Sequence, residues 1–298
     1  MKYKQQSTNK KAIAQRNFAK KDLGQNFLQS TKVRDDIMIE AGDVKGKRVL
    51  EIGPGLGFLT SALLEAGAEL TAVEFDPRAI KVLNDKFSNY KNFHLIEGSI
   101  LDMDLDEIFG TDSWQTVANI PYHITSPIIR KLLAETKNRP TSCVLMVQKE
   151  VAKKIARTRC AAEKIVESRS ILSLSVEIFA KARNCFEVKR DCFEPAPNVD
   201  SAILKLTIRP EPLISPEMET DFFTIVNAGF CERRKKLRNS LPKFFGDDPT
   251  PLLKGIDGDR RAETLDISEW ITMTENFRKW QAKEKEKQAQ EQEAPPRN

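Results

Sequence analysis

Histidine, paired cysteine and long apolar runs are all scarce in this sequence. Only His94 and His123 are present, too few for a histidine-rich metal site, and any Ser-His-Asp or Cys-His chemistry would have to pass through one of them. The five cysteines, Cys143, Cys160, Cys185, Cys192 and Cys231, are odd in number and never closer than seven positions apart. With no Cys-x-x-Cys pair, a structural zinc site has no framework, and no metal is expected. A disulfide scaffold is equally poorly served in a chain of 298 residues with no recognisable secretory leader, so a reducing, cytoplasmic setting is the expectation. No stretch approaches the run of about 20 apolar residues that spans a bilayer.

What is present is ordinary globular material. Hydrophobic residues make up 40% and charged residues 31%, enough for a sizeable core spread over about two domains. The net charge of +5 is unevenly placed: Lys2, Lys4, Lys10, Lys11, Arg16, Lys20 and Lys21 face Asp22 alone in the first 24 residues. The rest is close to neutral, which points to a polyanion partner for residues 1–21, a basic and flexible arm. That arm is too poor in Arg and Ser for a mitochondrial transit peptide.

From residue 48 the pattern alternates between short apolar runs and amphipathic stretches. Arg48–Gly53, Glu69–Phe75, Phe93–Gly98, Trp114–Asn119 and Ser142–Gln148 read as strands, with helices over Phe58–Ala66, Pro77–Phe87 and Thr125–Glu135. Alternation of this kind predicts right-handed βαβ units and a parallel sheet covered on both faces. Ala182–Val188 and Ser201–Arg209 then read as an antiparallel hairpin added to that sheet. Pro210, Pro212 and Pro216 mark a linker, after which Glu217–Phe230, Arg233–Phe244 and Ile267–Trp280 read as helices. The expected organisation is therefore an α/β domain over 22–209, a small C-terminal helical domain over 210–280 and a disordered tail over 281–298.

The sharpest local feature is E-I-G-P-G-L-G at Glu51–Gly57, closing a strand and opening a helix. Such a turn lets a ligand approach backbone closely, with the N–H groups of the helix start behind it. Alone it is a weak signal, because plain βα connections use glycine too. Glu74 adds weight: it ends the next strand 21 residues beyond Gly53, where a carboxylate can accept ribose hydroxyls. Pro54 between the glycines and the lack of G-x-x-x-x-G-K-[ST] disfavour a phosphate cradle. A nucleoside without pyrophosphate, such as S-adenosylmethionine, suits the loop better than a dinucleotide, which stays as the alternative.

The fourth strand ends in Asn119-Ile120-Pro121-Tyr122, at the sheet edge where ligands of open α/β sheets bind. An amide oxygen, backbone carbonyls and a flat ring suit the exocyclic amino group of a nucleobase. The plainer alternative is a strand-to-loop turn with a half-buried tyrosine. Arg233, Arg234, Lys235, Lys236 and Arg238 form a basic run on a predicted helix; beside a nucleobase pocket it reads as a phosphate-contacting surface, otherwise as a solvated face. Lys149, Lys153, Lys154, Arg157 and Arg159 would extend it.

Taken together and in order, GQNFL (Gly24–Leu28), EIGPGLG, VEFDP (Val73–Pro77), NIPYHITSPI (Asn119–Ile128), VQKEVA (Val147–Ala152), FEPAPNVDSA (Phe193–Ala202), FCERRKKLRNSL (Phe230–Leu241) and RAETL (Arg261–Leu265) resemble the ribosomal RNA adenine N6-dimethyltransferases, most closely their bacterial small-subunit (16S) branch. The likeness runs from about residue 21 to 280. It implies a Rossmann-like S-adenosylmethionine-dependent methyltransferase fold that acts as a monomer on two adjacent adenines in the 3'-terminal hairpin of 16S rRNA within an assembling small subunit. By the same likeness Asn26 and Leu28 edge the cofactor pocket, Gly53 and Gly55 face the methionine end, Glu74 the ribose, and Ser99 and Ile100 the cofactor's adenine. Asn119, Pro121 and Tyr122 receive the target adenine, and Phe193 stacks on its other face.

Two departures stand out. The family usually carries Asp where this chain has Ser99 after Gly98, with Asp102 nearby as a substitute, and it often shows Tyr-Gly where this chain reads Ser168-Arg169-Ser170. Ser99 raises the competing possibility of a nucleic-acid-binding assembly factor with weak or lost catalysis. The related large-subunit rRNA methylases resemble the first domain almost as well. His123 receives no catalytic role.

Overall fold

The computed structural model describes residues 25–156, 168–246 and 248–293. The basic arm over 1–21, Arg157, Arg159 and the last residues of the expected tail lie outside the described residues. Contacts between Cα atoms divide the chain into two compact units, one of residues 1–158 and 179–210 and the other of 159–178 and 211–298.

The first unit opens with β1 (Phe27–Leu28) and a helix over Thr31–Ala41 capped by the Ser30 hydroxyl, which accepts from Val33 N. There follow β2 (Arg48–Ile52), β3 (Glu69–Glu74), β4 (Phe93–Glu97), β5 (Trp114–Asn119) and β6 (Ser142–Gln148). Helices Phe58–Glu65, Pro77–Phe87, Leu105–Phe109 and Thr125–Arg130 lie between them. Asp76 caps the Pro77 helix and Pro77 fills its first turn, where a missing N–H costs nothing. After β7 (Ala180–Val188), a two-residue β8 (Phe193–Glu194) and β9 (Ser201–Ile208) complete the unit.

Seven strands form one sheet in the order β4-β3-β2-β5-β6-β9-β7. β2 to β6 are parallel, and β9 runs antiparallel to both β6 and β7. The expected hairpin added to a parallel sheet is what forms. Five successive residues of β3, β5 and β6 are buried, the signature of strands covered on both faces. The core beneath includes Val49, Leu63, Val117 and Ile203, each 0% exposed, and full burial of such a side chain contributes about 1.5–3 kcal/mol. The strand order reverses at β2, which has β3 on one side and β5 on the other. The carboxyl ends of β2 and β5 therefore open onto a crevice. β1 and β8 pair only with each other, Phe27 opposite Glu194 and Leu28 opposite Phe193.

The second unit is helical. Its longest elements are Pro216–Phe230 and Ile267–Glu293. Trp270, fully buried, stacks on Phe230 at 5.6 Å. A Cβ at Gly229 would meet the Trp270 ring at 2.5 Å, so the indole needs glycine there.

Three expectations change. The contiguous 22–209 domain gives way to a division that groups Ser168–Ile178 with the C-terminal residues. The backbone explains this: Arg169 N donates to Glu263 O, and Leu213 N to Ile178 O. The helix predicted over Arg233–Phe244 is instead a set of turns followed by Leu237–Ser240 and Pro242–Phe245. Leu237 N and Arg238 N donate to Arg260 O and Gly258 O, and Lys236 is extended (ψ 151) to allow it. Finally, the helix that begins at Ile267 continues past Trp280 to Glu293, where disorder was expected. Residues 281–293 are mostly Ala, Gln, Glu and Lys, all good helix formers.

Candidate active site

Motifs far apart in sequence meet at the crevice. Beyond β2 the chain turns through Gly53 (φ 65) and Gly55 (φ 57), backbone conformations that side chains strain to adopt. A Cβ on Gly53 would lie 3.8 Å from Pro121 Cδ, which brings the glycine turn against the Asn119–Tyr122 loop. A Cβ on Gly55 would lie 3.0 Å from the Phe27 ring, because the segment Gln25–Leu28 lies along the same cleft.

Glu74 is buried at the end of β3 and organises the turn. Its Oε1 accepts from Phe75 N and Asp76 N, each at 2.9 Å, and its Oε2 accepts from Gly55 N at 2.9 Å. Both acceptor directions of Oε1 are thereby used, and Oε2 retains one. Phe75, next in sequence, is 63% exposed, an apolar ring left uncovered beside a carboxylate.

Asn119 closes β5 and lines the cleft with Ile120, Pro121 and Tyr122. Its Nδ2 donates to Asn26 O at 3.4 Å. Pro121 O accepts from Ile124 N at 3.3 Å, a long bond that leaves its second lone pair open. The Tyr122 hydroxyl meets Ser201 Oγ at 2.5 Å, and burial pushes the phenol upward despite that bond. A neutral ring at physiological pH follows.

Two acidic groups stand behind these residues. Glu51, 2% exposed, lines the cleft and accepts from Thr60 Oγ1 at 2.7 Å. Burial pushes its carboxyl to about 8, partly offset by the Thr60 bond and reinforced by the charge of Glu74. It is protonated at neutral pH. Burial opposes ionisation of Asp76 too, yet hydrogen bonds from Arg78 and Gln25 hold it at about 2. The Gln25–Asp76 bond of 2.9 Å pins the start of the segment along the cleft.

The structure thus gathers Asn26, Leu28, Gly53, Gly55, Glu74, Asn119, Pro121 and Tyr122 around one cleft. Ser99, Ile100 and Phe193 are not among its lining residues. Ser99 Oγ accepts from Leu101 N and caps the short turn Ile100–Asp102, while Ile100 is 4% exposed. Asp102 is exposed on the same turn. Phe193 is 3% exposed in the core and held through the β1–β8 pair. Sequence reasoning passed over Glu51, Gln25 and Phe75. The available signal for Glu51 was an acid inside an otherwise apolar strand of a doubly covered sheet, where a carboxyl is buried by default.

The basic run belongs to the other unit and is less free than its sequence suggests. Lys235 pairs with Glu232 at 3.1 Å, and Lys236 and Arg238 pair with Asp259 at 2.7 and 2.8 Å. Arg233 and Arg234 are exposed and, among the described residues, make no ion pair. Also among the described residues, no group of three or more His, Cys, Asp or Glu is placed to hold a metal, and no helix is long and apolar enough to cross a membrane.

Comparison with known proteins matches the chain to one family. The family described as "Ribosomal RNA adenine dimethylase" matches residues 16–279. The ribosomal RNA small subunit methyltransferase A of Dehalococcoides mccartyi (strain CBDB1) is 42% identical over 259 residues, 85% of this chain and 86% of its own. The protein of the same name from Bacillus licheniformis is 38% identical over 273 residues, 87% and 91% of the two chains. Among solved structures, a dimethyladenosine transferase from Plasmodium falciparum superposes with a TM-score of 0.66 at 25% identity, covering 85% of this chain and 98% of that one. The 23S rRNA methyltransferase ErmE gives 0.64 at 26% identity, covering 84% and 99%. A glycine turn, an acceptor carboxylate and an Asn-Ile-Pro-Tyr loop meeting in one cleft, in a chain matched by that family over most of its length, place this protein in the ribosomal RNA adenine dimethylase family.

Proposed function

We propose that the protein uses S-adenosylmethionine to dimethylate the N6 amino group of two adjacent adenines in the 3'-terminal hairpin of 16S rRNA. It would act in the cytoplasm, as a monomer, on an assembling small subunit. The observation that carries this reading is the Asn119 amide, held by Asn26 O with nothing among the described residues donating to its oxygen, in the cleft that Tyr122 and Gly53 also line. The small-subunit branch is favoured over the large-subunit one because relatives 37–42% identical over 85% or more of the chain carry the small-subunit name.

The donor set fits the cofactor. Glu74 Oε2 has an acceptor direction for a ribose hydroxyl, Gly53 and Gly55 leave backbone bare for the methionine end, and exposed Phe75 offers an apolar face to a purine. Seating both ribose hydroxyls on Glu74 requires the Gly55 N–H to give up its bond to Oε2. Bound there, the cofactor supplies an electrophilic methyl group on a sulfonium.

The protein's part is positioning and electrostatics. Adenine N6 is a poor nucleophile because its lone pair is delocalised into the ring. Asn119 Oδ1 and Pro121 O can each accept one N6 proton, which favours a more tetrahedral nitrogen with its lone pair available. No side chain strong enough to deprotonate neutral N6 is needed, because the methylated nitrogen is cationic and loses its proton readily. The target base leaves its stack to reach this site, and the Tyr122 face compensates with about 1–3 kcal/mol of stacking. On the second transfer N6 carries a single proton and needs only one of the two acceptors. Phe193 would stack on the opposite face only after β1 and β8 shift to uncover it.

The test is transfer of labelled methyl groups to unmethylated small subunits, with large subunits as the second arm and the labelled position mapped. Two methyl groups on each of two neighbouring adenines of the small subunit are expected. Label only in the large subunit would assign the protein to the other branch. Tight binding without any transfer would make it an assembly factor.

A further inference from the structure

We infer that Ser201 is a positioning residue of the methyltransferase, setting the Tyr122 ring on which the target adenine stacks; the inference rests on the proposed role of Tyr122.

Tyr122 begins a single turn of 3-10 helix, Tyr122–Ile124, that no side chain caps. The turn's own backbone closes through the long Ile124 N to Pro121 O bond of 3.3 Å. The turn's own backbone fixes neither torsion of the half-buried ring, so its orientation is set by what the side chain touches. Among the described residues, the only hydrogen bond at its far end is to Ser201 Oγ, at 2.5 Å.

Ser201 is fixed by strands on both sides. It is 0% exposed and is the first residue of β9, paired with Gln148 of β6 on one side and Val188 of β7 on the other. The preceding Asp200 is fixed as well: its carbonyl accepts from Lys149 N, and its carboxylate accepts from Arg190 N and Lys189 Nζ, each at 3.1 Å. A three-strand junction thus holds the serine hydroxyl in place, and the hydroxyl in turn holds the ring. The two groups are far apart in sequence but share the carboxyl edge of the sheet, Tyr122 just beyond β5 and Ser201 at the start of antiparallel β9.

A simpler role is available, since a buried serine and a half-buried tyrosine satisfy each other's hydroxyls and each would suffer if left alone. The two roles separate when both hydroxyls are removed. Ser201→Ala strands the Tyr122 hydroxyl, whereas Tyr122→Phe with Ser201→Ala leaves nothing unpaired. A purely structural pair predicts that the double variant recovers both stability and turnover. A positioning role predicts recovered stability with turnover still low, because the ring keeps its stacking surface but loses its anchor. Small displacements of a reacting group cost up to about 10²-fold.

The experiment measures turnover on unmethylated small subunits, the KM for subunits, cofactor affinity by calorimetry and thermal unfolding for Ser201→Ala, Tyr122→Phe, the double variant and Tyr122→Ala. Expected for Ser201→Ala is a kcat about tenfold lower, with KM and cofactor affinity within about twofold of the parent. The double variant should unfold near the parent temperature and turn over no more slowly than either single variant. Parent kcat in Ser201→Ala, or full recovery of kcat in the double variant, overturns the inference. Losses that multiply between the two single changes overturn it too. An inactive Tyr122→Ala beside a fully active Ser201→Ala sinks this inference alone, whereas a fully active Tyr122→Ala removes the site reading beneath it.

Discussion

Asn119 donates its amide proton to the main-chain carbonyl of Asn26 at 3.4 Å, so a segment before the first helix decides which way the amide faces. Among the described residues nothing donates to its Oδ1, which remains an acceptor aimed by the fold. Replacing Asn119 with Ala should lower single-turnover methyl transfer by roughly 10²–10³, as loss of one preorganised polar contact does. Subunit binding and cofactor affinity should change far less. Transfer at the parent rate would remove Asn119 from the mechanism.

Glu74 anchors three backbone N–H groups besides any ribose contact. Glu74→Ala should weaken S-adenosylmethionine binding by about 2–4 kcal/mol, since a charged acceptor is lost and the glycine turn loses its tie to β3. Calorimetry decides this directly; unchanged affinity would place the ribose elsewhere.

Glu51 makes stability depend on pH. Its folded carboxyl titrates near 8 against an ordinary value of 4.5, so the folded state holds a proton that the unfolded state releases between those values. Its contribution is complete below about pH 4.5 and is lost as pH rises toward 8, on the order of a few kcal/mol. Urea unfolding at several pH values should show this fall in the parent and a flatter profile in Glu51→Gln. Parallel profiles would mean that Glu51 is ionised in the fold.

The basic run should divide in two. Charge reversal at Arg233 and Arg234, which are exposed and unpaired among the described residues, should weaken subunit binding and reduce its dependence on salt by about one unit of slope per lost phosphate contact. Neutralising Lys236 and Arg238, both engaged by Asp259, should do less. Filter binding across a salt series distinguishes the pairs, and equal effects would show that Asp259 releases its partners on binding.

Much of the sheet could be read from sequence because β2, β3, β5 and β6 are short apolar runs between glycine, proline and polar turns, the pattern of strands covered on both faces. β1 and β8 left no such trace, since two residues carry no periodicity and each strand exists only because the other pairs with it. The basic stretch was mistaken for a helix because its composition favours one, whereas hydrogen bonds to Gly258 and Arg260 decide its path. In the site, Gly53, Gly55, Glu74, Asn119 and Tyr122 announced themselves through spacing. Ser201 did not: its partner is 79 positions away in sequence and follows a strand two places over in the sheet, and only the three-dimensional pairing joins the two hydroxyls.

The path of the chain between its two compact units bears on how it is made. It passes from the first unit to the second after residue 158, returns at Phe179 and leaves again after Pro210. As synthesis proceeds from the N-terminus, the sheet cannot receive its last strands until residue 208 has emerged, by which time Ser168–Ile178 is already waiting for partners not yet translated. Leu213 N and Glu263 O, which bond to Ile178 and Arg169, arrive later. A chain stopped at residue 210 would keep every strand of the sheet yet strand the apolar Leu174, Val176 and Ile178 from the rest of their unit. The two units are therefore not separable by a single cut, and a premature stop in the last third should yield an aggregating product rather than a soluble catalytic half.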